Sequence, residues 1–256
     1  MSKKLFSAFA ALLSIVAAYQ TAGAGELHTV AGCDACCCDS GYGLDVDFEL
    51  AFLSLHRSDG FSRDGIFELE AAPRVAVGYE ICDDFGARVR YWEFNHFEAA
   101  GQGGNPSQVD TYNIDLELYR AICLDCGLTA EFAGGIRYNH YSDNNVADNN
   151  QTTRFNAYGG TLGIELSQAV TCNGNVYARG RWSLLMGDSV DDGNRDFDVL
   201  RDQYEVGIGY EQDICVMGIN AVVRGGAEWQ NWEGYSDNAD GAIGFRGFVL
   251  GVQTQY

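Results

Sequence analysis

The 256-residue chain carries 36 acidic against 16 basic residues, a formal net charge of −20, with 32 glycines, 2 prolines and 12% aromatic residues. So acidic a chain repels phosphates, which excludes nucleic acid as a partner. The length suits one large all-β domain or two small ones, and the glycine and aromatic load suits close-packed strands with interfacial aromatic girdles.

The first segment reads as a secretion signal. Lys3 and Lys4, the only lysines in the chain, precede an apolar run from Leu5 to Ala18 that is too short to span a bilayer. Ala22-Gly23-Ala24 offers a small-x-small cleavage site before Gly25, so residues 1–24 are expected to be removed. A rival cut at Val30-Ala31-Gly32-Cys33 has the look of a lipoprotein box. No later stretch is apolar enough for a transmembrane helix, so any membrane span must be β. Residues 25–40 form a Cys-rich segment expected in the periplasm, and residues 41–256 the strand-rich remainder.

Alternation begins at Tyr42. Leu44, Val46, Phe48, Leu50 and Phe52 fall on one side, and Asp45, Asp47, Glu49 and Ala51 on the other. Further runs follow at about 72–81, 87–97, 109–122, 128–141, 155–170, 176–186, 203–214, 218–232 and 243–256. The total is about ten, an even number as in bacterial single-chain barrels. In the fourth run Tyr112, Ile114, Leu116 and Leu118 point one way, and Thr111, Asn113, Asp115, Glu117 and Tyr119 the other. The same phase puts Glu131, Arg137, Glu165, Arg179, Arg181, Glu205, Glu211, Arg224 and Glu228 inside a barrel. The third run is untidy, because Arg88 and Arg90 share parity with Trp92 and Phe94; a bulge or an interfacial aromatic would account for it.

The connections alternate in character. Short turns surround Cys82–Gly86, Cys123–Gly127, Thr171–Asn175 and Cys215–Met217. Long polar loops are expected over 57–67, 98–108, 142–154, 187–202 and 233–242. Short turns on one side and long loops on the other are the hairpin-barrel pattern, with the short ends periplasmic. The last run, Phe245–Tyr256, alternates strictly: Phe248, Leu250, Val252, Thr254 and Tyr256 share one face. Outer-membrane barrels close on such a strand, whose terminal aromatic, here Tyr256, is read by the barrel-insertion machinery. An ordinary closing strand of a soluble sandwich is the rival for this segment alone. The reading is therefore an all-β chain forming an antiparallel transmembrane β-barrel of about ten strands in the bacterial outer membrane, with membrane lipid as its surroundings.

The ordered pieces of this chain resemble the Legionella-type major outer membrane protein family. They are the acidic first strand with Glu49, Ala72-Pro73-Arg74-Val75-Ala76-Val77-Gly78-Tyr79, Arg88-Val89-Arg90-Tyr91-Trp92, Ile114-Asp115-Leu116-Glu117, Gly135-Ile136-Arg137-Tyr138 and the closing strand. The resemblance covers most of residues 42–256 and implies an outer-membrane barrel that passes small ions or solutes. The cysteine-rich start is not part of that pattern.

Three features carry chemistry. Asp45, Asp47, Glu49, Asp115 and Glu117 would face Arg74, Arg88, Arg90, Arg179 and Arg181 in the lumen, either as a narrow permeation path or as a plug of ion pairs, since small barrels have interiors only wide enough for side chains. The nine cysteines all fall outside the predicted strands: Cys33, Cys36, Cys37 and Cys38 in the amino-terminal cluster, and Cys82, Cys123, Cys126, Cys172 and Cys215 in the short turns. An oxidising periplasm makes them disulfide candidates, stapling the cluster to the turn side or linking neighbouring envelope proteins; a zinc site is the alternative. The acidic stretches 189–196 and 236–241 offer oxygen ligands, but without EF-hand spacing they read as solvated loops. His56, His96 and His140, near Asp59, Glu98 and Asp143, would allow an omptin-like general-base pair at the rim, yet no omptin-like motif, G-x-S-x-G, P-loop or dinucleotide fingerprint is present. No catalytic residue, cofactor or metal ligand is assigned.

Overall fold

The structure, a computed structural model, describes residues 43–57, 69–82, 85–98, 107–125, 127–145, 151–191, 194–216, 219–235 and 241–255. All belong to one unit, Ala35–Tyr256. Ten strands form: β1 (Gly43–Arg57), β2 (Glu70–Cys82), β3 (Phe85–Glu98), β4 (Ser107–Asp125), β5 (Leu128–Asn145), β6 (Gln151–Thr171), β7 (Gly174–Asp191), β8 (Asn194–Val216), β9 (Ile219–Glu233) and β10 (Ala242–Gln255). Each pairs antiparallel with its sequence neighbours, and β1 pairs with β10, so the sheet closes into a barrel. Closure removes the unpaired edges that an open sheet would leave.

The period-2 pattern decides which side chains face in. On β4, Thr111, Asn113, Asp115 and Glu117 are buried, while Ile114, Leu116 and Leu118 are exposed. The exposed set continues around the barrel through Val89, Ile136 (65% exposed), Leu162, Val206, Ile208 and Leu250. A contiguous apolar exterior of this kind is foreign to a water-soluble surface. Among the described residues no helix is long and apolar enough to cross a membrane. The hydrophobic core lies in the barrel's interior, toward the end where β9 leads into β10.

Three sequence expectations need correction. The stretch 187–202 is not a loop: residues 192–193 alone separate β7 from β8, which pair beyond the end of β9 while β7 stays paired with β6 as far as Asp191. Its polar residues pair through their backbones where composition suggested a loop, across a register shift between Gly187 and Ser189 at which Asp198 takes a φ of 58°. The untidy third run contains no bulge: its register with β4 is unbroken from Phe85 to Glu98. Trp92 and Phe94 point inward with Arg88 and Arg90 because the upper lumen is aromatic. The cysteines are not all outside strands either, since β2 ends at Cys82 and β4 and β8 run through Cys123 and Cys215; pairing reaches farther into the short turns than their Cys, Asp and Asn content suggests. The signal segment, the amino-terminal cysteine cluster, Cys126, Tyr256 and the stretches 58–68, 99–106, 146–150 and 236–240 lie outside the described residues.

Candidate functional site: a stratified lumen

Cross-strand register assembles the interior charges. Glu49 stands opposite Arg74, and Arg88 and Arg90 stand opposite Glu117 and Asp115. Asp115 also faces Arg137, Glu165 faces Arg179, and Glu211 faces Arg224. Opposite charges directly across a ladder attract, so several strand pairs bring their own ion pairs into the lumen. Glu131 opposite Glu165 is the like-charged exception, and Arg88 Nη1 meets Glu131 at 2.7 Å.

Contacts across the lumen join these pairs. Arg74 donates to Glu49 (2.6 Å) and to both oxygens of Glu228 (2.9 and 3.0 Å). Arg179 donates to the same two carboxylates, each at 2.6 Å. Two guanidiniums and two carboxylates thus form a closed ring spanning β1, β2, β7 and β9. Beside it, Arg137 clamps Asp115 through two parallel bonds (2.7 and 2.9 Å) and donates to Glu205 (2.8 Å) and Gln203 (2.9 Å). Glu117 accepts from Arg88 at 2.8 Å and from Arg181. Arg90 lies 3.8 Å from Asp115 and 3.9 Å from Glu117. Bidentate charge-assisted bonds of this kind are the strong ones, and mutual satisfaction is what makes so many buried charges tolerable.

On the long-loop side the lumen changes to aromatic. Trp92, Phe94, Trp232 and Phe245 are 0–5% exposed, with centroids of contacting rings 4.9–6.3 Å apart. Tyr235 continues the layer edge-on to Tyr141 (5.2 Å) and Phe155 (5.4 Å), and the Arg201 guanidinium lies 4.1 Å from the Phe155 centroid. Edge-to-face contacts and a cation over a ring are the favoured geometries. Tyr235 donates to Asn139 and accepts from Gln203, both at 2.9 Å, and its burial pushes the phenol's pKa up. Tyr235 and Gln203 lay outside the lumen set read from the sequence: the tyrosine follows β9, so strand alternation does not reach it, and glutamine gives no charge signal.

On the short-turn side a cavity of about 90 Å³ opens below the ion network, bordered by Asp45, Asp47, Glu131, Glu165, Arg90 and Arg224 among others. Of the fourteen expected lumen residues, Asp45, Asp47, Glu131, Glu165 and Arg224 border the cavity, Glu49, Arg88, Arg90, Arg179 and Arg181 belong to both the cavity wall and the network, and Arg74, Asp115, Glu117 and Arg137 belong to the network alone.

The cysteines gather at the short-turn end. Cys123 and Cys172 are disulfide-bonded, with partners outside the described side chains. Cys215, at the end of β8 and directly opposite Asn220, is a free, exposed thiol; it takes no part in a staple to the amino-terminal cluster, because the residue facing it across the ladder is polar and not a second thiol. The histidines do not converge. His140 contacts Asn156 (2.7 Å) on the outer face, whereas Asp143 is buried on the inner one, and His96 lies 3.7 Å from Glu70.

No family model and no curated protein matches the chain. Solved structures similar to it include Neisserial surface protein A, at 14% identity over 83% of this chain and 97% of that one, with a TM-score of 0.42. The outer membrane protease OmpT from Escherichia coli is 10% identical over 84% and 97%, with a TM-score of 0.47. The outer membrane protein OprG from Pseudomonas aeruginosa is 11% identical over 85% and 97%, with a TM-score of 0.38. The chain itself is a closed ten-stranded antiparallel barrel with an apolar exterior and a charged and aromatic interior.

Proposed function

We propose that this protein is a structural barrel of the bacterial outer membrane whose lumen is closed, and not an open porin. The apolar exterior supports the membrane setting, because a lipid-facing band alternating with a polar interior is what a spanning barrel requires. The aromatic layer carries the closed-lumen reading: Trp92, Phe94, Trp232 and Phe245 bury one another across the barrel above a cross-linked ion network. A ten-stranded barrel has little interior to spare once side chains of this size fill it. The passage of ions or solutes implied by the family resemblance would need both layers to move aside. The disulfide-bonded Cys123 and Cys172 at the short-turn end support a companion role in anchoring the barrel to cysteine-bearing segments of the envelope or of this chain.

Planar-bilayer conductance of the refolded barrel tests the reading. The expected result is silence from protein that shifts on a gel between unheated and boiled samples. Reproducible conductance steps from the wild-type chain would restore the pore.

A further inference from the structure

The ion network loosens toward the short-turn end, where carboxylates outnumber close guanidinium partners. Arg224 lies within 4 Å of four carboxylates without closing on any of them: Glu49 at 3.6 Å, Glu211 at 3.8 Å, and Asp47 and Glu165 at 3.9 Å. It hydrogen-bonds none of them among the described contacts; its Nη2 donates instead to Gln253 at 2.6 Å. Glu49 is already served by Arg74 and Arg179. Asp45 receives only the neutral Gln253 amide at 3.0 Å. Arg224 is thus the ion-pair partner within 4 Å of Asp47, Glu165 and Glu211, although Arg179 stands opposite Glu165 and Ser167 and Asn175 donate to Glu211. Seven carboxylates line the cavity against five guanidiniums, with Arg74 and Arg137 reaching Glu228 and Glu205 from outside the lining.

Three buried polar atoms on the cavity wall lack any hydrogen-bond partner: Asp47 Oδ1, Arg90 Nη1 and Arg224 Nε. The Arg224 side chain is 92% buried, its relative exposure being 8%. Such atoms are costly unless something in the cavity meets them. They include donors and an acceptor, so the occupant must offer both, as water does. A space of about 90 Å³ has room for on the order of six waters. Exposure also rises toward this end: Glu117 and Glu228 are at most 1% exposed, Glu165 and Glu131 27% and 29%. Among the described residues no three carboxylate, histidine or cysteine side chains converge to coordinate a metal ion directly.

We infer that the short-turn half of the lumen is a blind, hydrated vestibule that takes up small monovalent cations within their water shell. The inference rests on the closed-lumen reading above. Water meets the stranded donors and acceptor, and the cation supplies the missing positive charge. Low-dielectric walls lined by an excess of one sign concentrate counter-ions by tenfold or more.

Thiol labelling of the full chain in lipid vesicles tests this. Gly163 borders the cavity, and a Cβ there meets nothing closer than 3.4 Å, so Gly163→Cys is accommodated. Cys215, free and exposed at the short-turn end, reports the orientation of each barrel and normalises reagent reactivity. Methanethiosulfonates bearing trimethylammonium or sulfonate are added to barrels with the short-turn end outward, and modification of Gly163→Cys is read by peptide mass spectrometry. The cationic reagent is expected to react about tenfold faster, relative to Cys215, than the anionic one. Glu165→Gln, which disturbs only a loose 3.9 Å pair, should cut that ratio at least threefold. Equal rates, a preference for the anion, or no labelling in folded barrels would overturn the vestibule. Modification by reagent confined to the long-loop side would instead overturn the closed lumen, so the two failures are distinct.

Discussion

Glu228 shows how a residue's role here depends on its partners. It accepts from Arg74, Arg179 and Gln230 at once, so Glu228→Gln leaves two buried guanidiniums sharing Glu49. Breaking a buried ion pair by removing one partner costs about 3–5 kcal/mol, and the urea midpoint of unfolding from lipid vesicles should fall accordingly. Tyr235→Phe is milder in kind. It strands the Gln203 amide and the Asn139 carbonyl inside an aromatic layer, for a loss of about 1–3 kcal/mol by the same assay. Neither substitution touches the lipid-facing surface, so both should still insert.

At the scale of the strand, adjacent glycines have different jobs. Gly159 faces inward, where β6 and β7 approach so closely that a Cβ would sit 1.9 Å from the Leu184 carbonyl oxygen. Gly160 faces outward, and a Cβ there meets nothing within 4 Å. Gly159→Ala is therefore expected to destabilise by about 1–3 kcal/mol, as overpacking does, while Gly160→Ala stays within about 0.5 kcal/mol of wild type. Equilibrium unfolding of the two variants side by side checks the facing of β6 without further structure determination. The β7–β8 hairpin, which outruns β9 but stays paired with β6, belongs to the same scale. Its strands keep pairing beyond Asp202, where β9 stops pairing, across a register shift at Asp198.

For the whole molecule, the exterior is the membrane contact. Ile136 lies at the middle of β5 and is among the most exposed large apolar residues. Placing a charge there, in Ile136→Arg, should cost about 2–4 kcal/mol if it meets the bilayer midplane. The loss should appear in lipid vesicles, and a variant as stable as wild type there would deny the membrane setting. A paired substitution on the inner face tests closure. Trp92→Ala with Trp232→Ala removes two rings that meet at 5.5 Å; if the aromatic layer is the barrier, the double variant admits small ions more readily than the silent wild type in the planar bilayer.

Period-2 alternation is a local property of the backbone, so strand number, facing and most lumen charges were legible along the chain: Asp115 and Glu117 against Leu116 and Leu118 needed no neighbour to assign. Which charges meet across a ladder, as Arg88 does with Glu117, was not, because β3 and β4 are joined by a long connection that fixes no register. Nor were contacts that bridge the barrel. Arg179 meeting Glu49, 130 residues away, exists only because β1 closes on β10 and the lumen is narrow enough for side chains to touch. The inward turn of Trp92 and Phe94 had the same origin: their parity was plain, but aromatic residues sit equally well at a lipid interface, and only their meeting with Trp232 and Phe245 from the far wall made them a closed layer. Composition likewise misjudged the β7–β8 stretch, since polar residues pair as readily as apolar ones once a neighbouring strand offers its backbone. Facing belongs to the local chain; whether what faces inward leaves a channel depends on distances that closure alone sets.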